Sequence, residues 1–318
     1  MDILYLLAGF VGLIAGGELL VRGAVTVAMR LNVSPMIIGL TLVGFGTSMP
    51  ELVTSIEAAL SGAPGLAVGN VVGSNIANIL LILGVAALFS PILISAKAFK
   101  RDGWVLVFAT VLCVGTVLFG SLDRLTALFY VIGFLSYMGL TVFFERRSRS
   151  SAAAVYEAEA EIVTPSKSGM PLALGQFVIG LALTIFGAKL LVSGAVSIAQ
   201  TLGVSDAVIG LTVVAIGTSM PELVTAVMAS RKGQNDVAFG SVLGSNISNI
   251  LVILGMTSLV QPLQVPDIIA SQDIWVMVAA TACLLVFAMT GWRISRREGG
   301  ILLAGYIAYL SYVVATII

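Results

Sequence analysis

Two identical nine-residue segments carry the side chains of this sequence that are best suited to hold a cation. The segment G-T-S-M-P-E-L-V-T occupies positions 46–54 and recurs unchanged at 217–225. Each copy places a threonine and a serine four and three residues before a glutamate, so the hydroxyls and the carboxylate can share one face of a helix. The candidate ligands in the two segments are Thr47, Ser48, Glu51, Thr218, Ser219 and Glu222.

A second repeated motif follows each segment and adds further oxygen atoms. G-S-N-I-A-N-I-L at 73–80 returns as G-S-N-I-S-N-I-L at 244–251, and each copy spaces a serine and an asparagine four residues apart. The candidate ligands here are Ser74, Asn78, Ser245 and Asn249.

Brought together, the four motifs would form a site of carboxylate, amide and hydroxyl oxygens. Such a site suits Ca²⁺, which takes about six to eight oxygen ligands, better than Mg²⁺, which keeps its waters. The chain contains no histidine, the commonest ligand of transition metals. The charge of two ionised glutamates is neutralised either by one Ca²⁺ or by two Na⁺. One Ca²⁺ and two Na⁺ could therefore compete for the same site.

Other polar residues near these motifs have simpler interpretations. Packing or capping explains Asn75 and Asn246 as well as ligation does, since small polar residues often lie at interfaces between membrane helices. The charges of Glu18, Glu57 and Lys189 are not kept across the repeat, which favours snorkelling groups near the membrane surface over a gating role.

A proline and a glycine should interrupt the helix at each glutamate. Pro50 has no N–H to donate, and Gly46 is flexible, so we expect a break or kink around 47–50 and at the equivalent place in the second copy. Carbonyls freed by such a break are tolerated at membrane depth only where they face protein, water or an ion.

The composition predicts a membrane protein. Of the 318 residues 58% are hydrophobic and 10% are charged, with a mean hydropathy of +1.09, whereas soluble domains carry about 25% charged residues. The net charge is zero, and no basic-aromatic cluster indicates a nucleic-acid partner. The apolar runs predict ten spans, near 3–28, 35–60, 66–90, 103–120, 124–144, 171–200, 206–230, 237–260, 272–291 and 299–317.

The distribution of basic residues gives these spans a direction. The odd-numbered connections hold 13 lysines and arginines, whereas the even-numbered connections and the termini hold only Arg124. Cytoplasmic loops are the ones enriched in Lys and Arg. We therefore expect a multi-pass protein of the cell membrane, with both termini extracellular and the polar connector 145–169 cytoplasmic.

The motifs recur at a constant offset of 171 positions, which divides the chain into two halves. Each half holds five predicted spans, and because five is odd the second copy enters the membrane from the opposite side. The sequence thus predicts an all-α integral membrane protein of ten transmembrane helices, arranged as two inverted five-helix repeats with broken helices at the midplane. Its parts are 1–144, the linker 145–169, and 170–318.

The paired G-T-S-M-P-E and G-S-N-I-x-N blocks resemble the alpha-repeats of the cation/calcium exchanger superfamily, especially its prokaryotic sodium/calcium exchangers. The resemblance covers almost the whole chain. It implies Ca²⁺/Na⁺ exchange at a site formed by the ten side chains above, completed by backbone carbonyls near Gly44, Thr47, Ala215 and Thr218. It also implies alternating access by sliding of 3–28 and 171–200. One departure is Asn249, where some archaeal relatives carry an aspartate.

The expected function is therefore secondary active antiport of Ca²⁺ and Na⁺, with Ca²⁺/H⁺ antiport as the alternative and a cation channel as a less favoured one. An enzyme is not expected, since no serine has an evident base and no zinc-protease motif occurs. No cofactor and no obligate protein partner is inferred. The partners are the transported ions and the lipid bilayer.

Overall fold

The computed structural model describes residues 1–31, 44–94, 96–148, 169–231 and 235–315. Most of the predicted linker 145–169, and positions 35–43 of the predicted second span, lie outside these residues. The helices of the first half are α1 (Asp2–Arg30), α2 (Gly44–Thr47), α3 (Met49–Leu60), α4 (Pro64–Ala77, continued by the π-helix Asn78–Leu83 and by Gly84–Phe89), α5 (Ala96–Leu118) and α6 (Arg124–Ser148).

The second half repeats this order after the linker. Its helices are α7 (Met170–Leu202), α8 (Asp206–Ile209, the π-helix Gly210–Val214, and Ala215–Thr218), α9 (Met220–Arg231), α10 (Asn235–Ser248, the π-helix Asn249–Leu254, and Gly255–Val260), α11 (the π-helix Ile269–Asp273, then Ile274–Met289) and α12 (Arg296–Ala315). Four two-residue strands lie in the connections, namely β1 (Ile92–Leu93), β2 (Ser121–Leu122), β3 (Leu263–Gln264) and β4 (Arg293–Ile294).

The prediction of an all-helical membrane protein is confirmed. Among the described residues, eight helices are long and apolar enough to cross a membrane, and α8 with α9 would form one more span that is bent by 45°. The predicted span 35–60 is represented only by α2 and α3.

A seam of glycines joins α1 to α7. A β-carbon on Gly9 would lie 2.5 Å from the backbone nitrogen of Leu191, and one on Gly23 would lie 2.5 Å from that of Phe177. As residue numbers rise along α1, those of their neighbours on α7 therefore fall, which means that the two helices are antiparallel. The backbones approach so closely because one glycine in every seven residues faces the partner; these glycines are Gly9, Gly16, Gly23, Gly180, Gly187 and Gly194.

The short strands also connect the two halves. β1 pairs with β4, and β2 pairs with β3, both antiparallel. Because α5 runs from β1 to β2, these two pairs lie at opposite ends of that helix. The repeat offset makes β3 the counterpart of β1, so the counterparts occupy opposite ends of the helical bundle.

The motif-bearing helices α4 and α10 form the centre of the protein. In each of them 83% of the most apolar window is buried, against at most 39% in the other candidate spans. Each is covered by the last helix of the other half: Gly84 of α4 packs on Gly299 and Leu302 of α12, and Gly255 of α10 packs on Tyr130 of α6. This exchange of outer helices holds the two motif helices side by side.

Candidate cation site between the two halves

Each copy of the repeated nine-residue segment breaks its helix at the serine. Ser48 separates α2 from α3 with φ −88° and ψ 7°, and Ser219 separates α8 from α9 with φ −85° and ψ 9°. These angles lie in the bridge region, which is sparsely populated and common at functional sites. The predicted breaks are confirmed at both positions.

The prolines explain why the breaks fall there. A carbonyl in an α-helix accepts from the N–H four residues on, and Pro50 and Pro221 have no N–H to offer. The carbonyls of Gly46 and Gly217 therefore lose their regular partners. These two residues differ from the carbonyl positions that the family resemblance implies. The carbonyl of Ala215 still accepts the backbone N–H of Ser219 at 3.2 Å, and the Thr218 hydroxyl also donates to it at 3.5 Å.

Glu51 and Glu222 are buried at the contact between the halves, each about 1% exposed. The Ser219 hydroxyl donates to Glu51 Oε1 at 3.0 Å, and the Ser48 hydroxyl donates to Glu222 Oε1 at 3.4 Å. The sequence placed each serine beside the glutamate of its own segment, whereas the structure pairs it with the glutamate of the other half. The reason is the break at the serine, which turns its side chain towards the opposing half.

One oxygen of each carboxylate remains uncommitted. Glu51 Oε2 and Glu222 Oε2 are buried and have no hydrogen-bond partner among the residues that the structure describes. A buried polar atom without a partner is costly, and where it persists it calls for a ligand or a functional explanation. Thr47 and Ser245 lie close to Glu222 in the same region, and Thr218 lies close to Glu51.

The helices α4 and α10 bring their polar side chains to the same layer. Ser74, Asn78, Ser245 and Asn249 are all buried. The Asn78 amide donates to Asn246 Oδ1 at 3.3 Å. Ser74 Oγ, Asn78 Oδ1 and both amide atoms of Asn249 have no partner within the described parts of the chain. Three of these four predicted ligands, Ser74, Asn78 and Asn249, thus have a side-chain oxygen available to a cation within the described residues.

The π-helices of α4 and α10 begin at two of these residues, Asn78 and Asn249. An inserted π-turn disturbs the regular i to i−4 pattern of the backbone and is frequent at functional sites. Both motif helices thus change their winding at a candidate ligand. Asn75, by contrast, donates to the carbonyl of Val71 at 2.8 Å, as a packing residue would.

Asn70 is a residue of this region that the sequence did not single out. It is fully buried, and its amide donates to the backbone carbonyl of Glu51 at 3.3 Å and to Ser55 Oγ at 3.0 Å. Its oxygen accepts from Thr218 Oγ1 at 3.1 Å. Asn70 therefore joins the first glutamate helix to the break of the second. Thr218 Oγ1 also reaches the carbonyl of Val214 at 3.0 Å.

The remaining predicted positions lie at the same level of the molecule. Thr47 ends α2 beside the break and is partly buried, and Ala215 begins the last turn of α8 and is fully buried. Gly44 is the first residue of α2. Within the described ranges, no three Cys, His, Asp or Glu side chains gather into one cluster. The candidate site therefore has two carboxylates, and hydroxyl, amide and carbonyl oxygens supply the rest.

A cavity of about 490 Å³ opens from the breaks towards one end of the bundle. It is enclosed by α1, α2, α3 and α9, and it runs from Thr47 and Pro221 towards Met228. The helix ends in that direction carry Arg30 and Arg231. The cavity thus reaches the candidate site from the end of the bundle at which Arg30 and Arg231 lie.

Glu18 and Arg22 line this cavity and form an ion pair on α1. The sequence favoured a snorkelling role for Glu18 near the membrane surface over a gating role, and the structure places this residue in the wall of the cavity. The repeat gives no functional signal for Glu18, because the equivalent position of the second half is Lys189. Its place in the cavity wall depends on how α1 packs on α2 and on the last turn of α8, and such contacts between distant segments leave no local pattern in the sequence.

Comparison with known proteins finds relatives along almost the whole chain. The profile of the family described as sodium/calcium exchanger protein matches residues 1–143 and 172–315. The chain is 40% identical to the putative antiporter CaxA of Alkalimonas amylolytica over 309 residues, 96% of each protein. It is 38% identical to the sodium/calcium exchanger MaX1 of Methanosarcina acetivorans, over 98% of this chain and 97% of that one.

A solved structure has the same fold. The sodium-calcium exchanger NCX_Mj, soaked with 10 mM Na⁺ and zero Ca²⁺, aligns with a TM-score of 0.63 at 31% identity and covers 98% of each chain. Because the family profile matches both halves, each with its glutamate at a helix break, this protein is a member of the sodium/calcium exchanger family.

Proposed function

We propose that this protein is a secondary active antiporter that exchanges Ca²⁺ for Na⁺ across the cell membrane by alternating access. The observation that carries the proposal is the pair Glu51 and Glu222. Each is buried, each accepts a hydrogen bond from a serine of the other half, and each has one carboxylate oxygen without a partner among the described residues. A charge at this depth is expensive, and paired intramembrane carboxylates are typical of ion pathways.

The ligand set favours a hard cation. The twelve proposed ligand positions offer only oxygen: side chains at Thr47, Ser48, Glu51, Ser74, Asn78, Thr218, Ser219, Glu222, Ser245 and Asn249, with backbone carbonyls near Gly44 and Ala215. Hydroxyl, amide and carbonyl oxygens suit Ca²⁺ and Na⁺ because both accept irregular coordination by neutral oxygens. Two carboxylates allow one Ca²⁺ or two Na⁺ to be held with charge balance.

The proposed architecture is a pair of inverted five-helix repeats, 1–144 and 170–318, joined by the linker 145–169. Two observations support the inversion. The counterpart helices α1 and α7 are antiparallel, and the counterpart strands β1 and β3 lie at opposite ends of the bundle. Such repeats place a substrate site at the midplane, between two halves that can rock or slide.

Access from one side at a time is supported by the cavity. Thr225 lines it, whereas the counterpart Thr54 is fully buried. The opening therefore lies on one side of the glutamates. Together with the basic residues at Arg30 and Arg231, this favours a state that faces the cytoplasm, with both termini extracellular.

The counter-ion is tested by a gradient experiment with purified protein in liposomes. We expect uptake of ⁴⁵Ca²⁺ into Na⁺-loaded liposomes to require an outward Na⁺ gradient and to stop when choline replaces Na⁺. Uptake that ignores Na⁺ but follows a pH gradient would replace Na⁺ by H⁺ in the proposal. Ca²⁺ currents through single open channels in a planar bilayer would refute antiport altogether.

A further inference from the structure

The ion pair Glu18–Arg22 lies at an unusual depth for charged side chains. α1 spans Asp2–Arg30, so Glu18 is close to its middle and Arg22 is one turn further on. The side chains are 58% and 50% exposed respectively, so neither is enclosed by protein. Charged side chains inside a membrane almost always face the interior of the bundle or a water-filled space.

The cavity supplies that space. Glu18 and Arg22 are part of its wall, which also includes Thr47 and Pro221 at the two helix breaks. A volume of about 490 Å³ is far larger than the ~30 Å³ that one water occupies in the liquid. The carboxylate of Glu18 therefore has room for water in the cavity that leads to the helix breaks.

We propose that Glu18 is a cation-binding station in this cavity, which concentrates cations before they reach Glu51 and Glu222, and that Arg22 is a tethered counter-ion that an arriving cation displaces. The inference rests on the proposed exchange function and adds a residue to its access route. An acidic group in a narrow cleft raises the local concentration of cations and their rate of arrival. Arg22, which is half exposed, offsets only part of this attraction, because water screens an exposed ion pair.

This station belongs to one side of the protein only. At the repeat offset, the positions of Glu18 and Arg22 are occupied by Lys189 and Ser193 on α7. A lysine repels cations, and a serine carries no charge. The pair should therefore affect the ion affinity at the membrane face to which the cavity opens and leave the other face unchanged.

The experiment compares Ca²⁺ transport from each face in inside-out and right-side-out membrane vesicles. We expect Glu18→Gln to raise the apparent KM for Ca²⁺ about tenfold at the face of the cavity, the lower end of what a charged cleft contributes. Its kcat, and its KM at the opposite face, should stay near wild type. Glu18→Asp should restore most of the affinity, and Arg22→Gln should lower the KM at the same face.

A matched control and a salt series separate this role from a structural one. Lys189→Gln neutralises the counterpart position and should leave the KM at the cavity face unchanged. Added choline chloride should shrink the difference between wild type and Glu18→Gln, because salt screens exposed charges. A folding defect would instead lower kcat at both faces and would be insensitive to salt.

The outcomes distinguish this inference from the proposed function. If Glu18→Gln transports with an unchanged KM at both faces, the station is refuted and the exchange function stands. An equal rise in KM at the two faces also refutes it. If the wild type moves no Ca²⁺ under any cation gradient, both proposals fail.

Discussion

Neutralising one buried glutamate should change the selectivity of the site as well as its affinity. Glu51 is about 1% exposed, so little water screens its carboxylate. Two unit charges about 4 Å apart interact by about 4 kcal/mol at an effective dielectric constant near 20. Ca²⁺ carries twice the charge of Na⁺, so Glu51→Gln should cost Ca²⁺ about 8 kcal/mol and Na⁺ about 4 kcal/mol per bound ion.

The difference of about 4 kcal/mol corresponds to nearly three orders of magnitude in the ratio of the Ca²⁺ and Na⁺ binding constants per bound ion. Separate equilibrium titrations of purified protein with ⁴⁵Ca²⁺ and with ²²Na⁺ measure this preference for Ca²⁺ directly. Glu222→Gln should have the same effect, because Glu222 is equally buried and is likewise bonded to one serine of the other half.

Glu57→Gln is the matched control. Glu57 lies on the same helix α3, six residues after Glu51, and accepts a hydrogen bond from Ser61 Oγ at 3.4 Å. This variant loses the same charge from a partly exposed position, so its preference for Ca²⁺ should stay within about twofold of wild type. If Glu51→Gln changes the preference by less than tenfold, or if Glu57→Gln changes it as much, the two glutamates do not form the cation site.

Two further predictions concern the seam and the cavity. Gly16→Ala should lower the melting temperature in detergent, because its β-carbon would lie 2.6 Å from the backbone of α7 and overpacking costs about 1–3 kcal/mol. Gly133→Ala is the control and should leave the melting temperature unchanged, because no described atom lies within 4 Å of the added β-carbon. Equal melting temperatures of the two variants would refute the close packing of α1 on α7. In a Cys283→Ser background, a water-soluble thiol reagent should label Thr225→Cys much faster than Thr54→Cys; equal labelling would show that the cavity is not a one-sided access route.

The parts of the site that sequence could predict are those with local signals. A proline breaks a helix whatever surrounds it, so the break at Pro50 followed from the residue type alone. The repetition of Glu51 at Glu222 marked both as functional, because a buried charge is unlikely to be retained twice without use. The apolar runs predicted the membrane helices because the length and hydropathy of a run are also properties of one segment.

The parts that could not be predicted depend on contacts between distant residues. Nothing in the composition of Asn78–Leu83 distinguishes a π-helix from an α-helix, and its winding is decided by packing. Asn70 was overlooked because its counterpart is Ser241, so the comparison of repeats discards it. That Ser48 serves the glutamate of the other half follows only from how the halves meet.

The two copies of the nine-residue segment differ in their exposure to the cavity. Their sequences are identical, and their serines adopt nearly the same backbone angles. Yet Val224 is 52% exposed in the cavity, whereas Val53 is less exposed, and Thr225 reaches the cavity while Thr54 is fully buried.

Since the segments are identical, this asymmetry cannot be a property of the segments themselves. It must arise from the elements around them: α7 packs on α3 of the first copy, whereas its counterpart α1 reaches the second copy mainly at the last turn of α8. A shift of those helices that closed the cavity over Thr225 and opened the equivalent space over Thr54 would require no change in either glutamate segment. In the proposed inverted-repeat architecture, one set of local structures can therefore provide both access states of an exchanger.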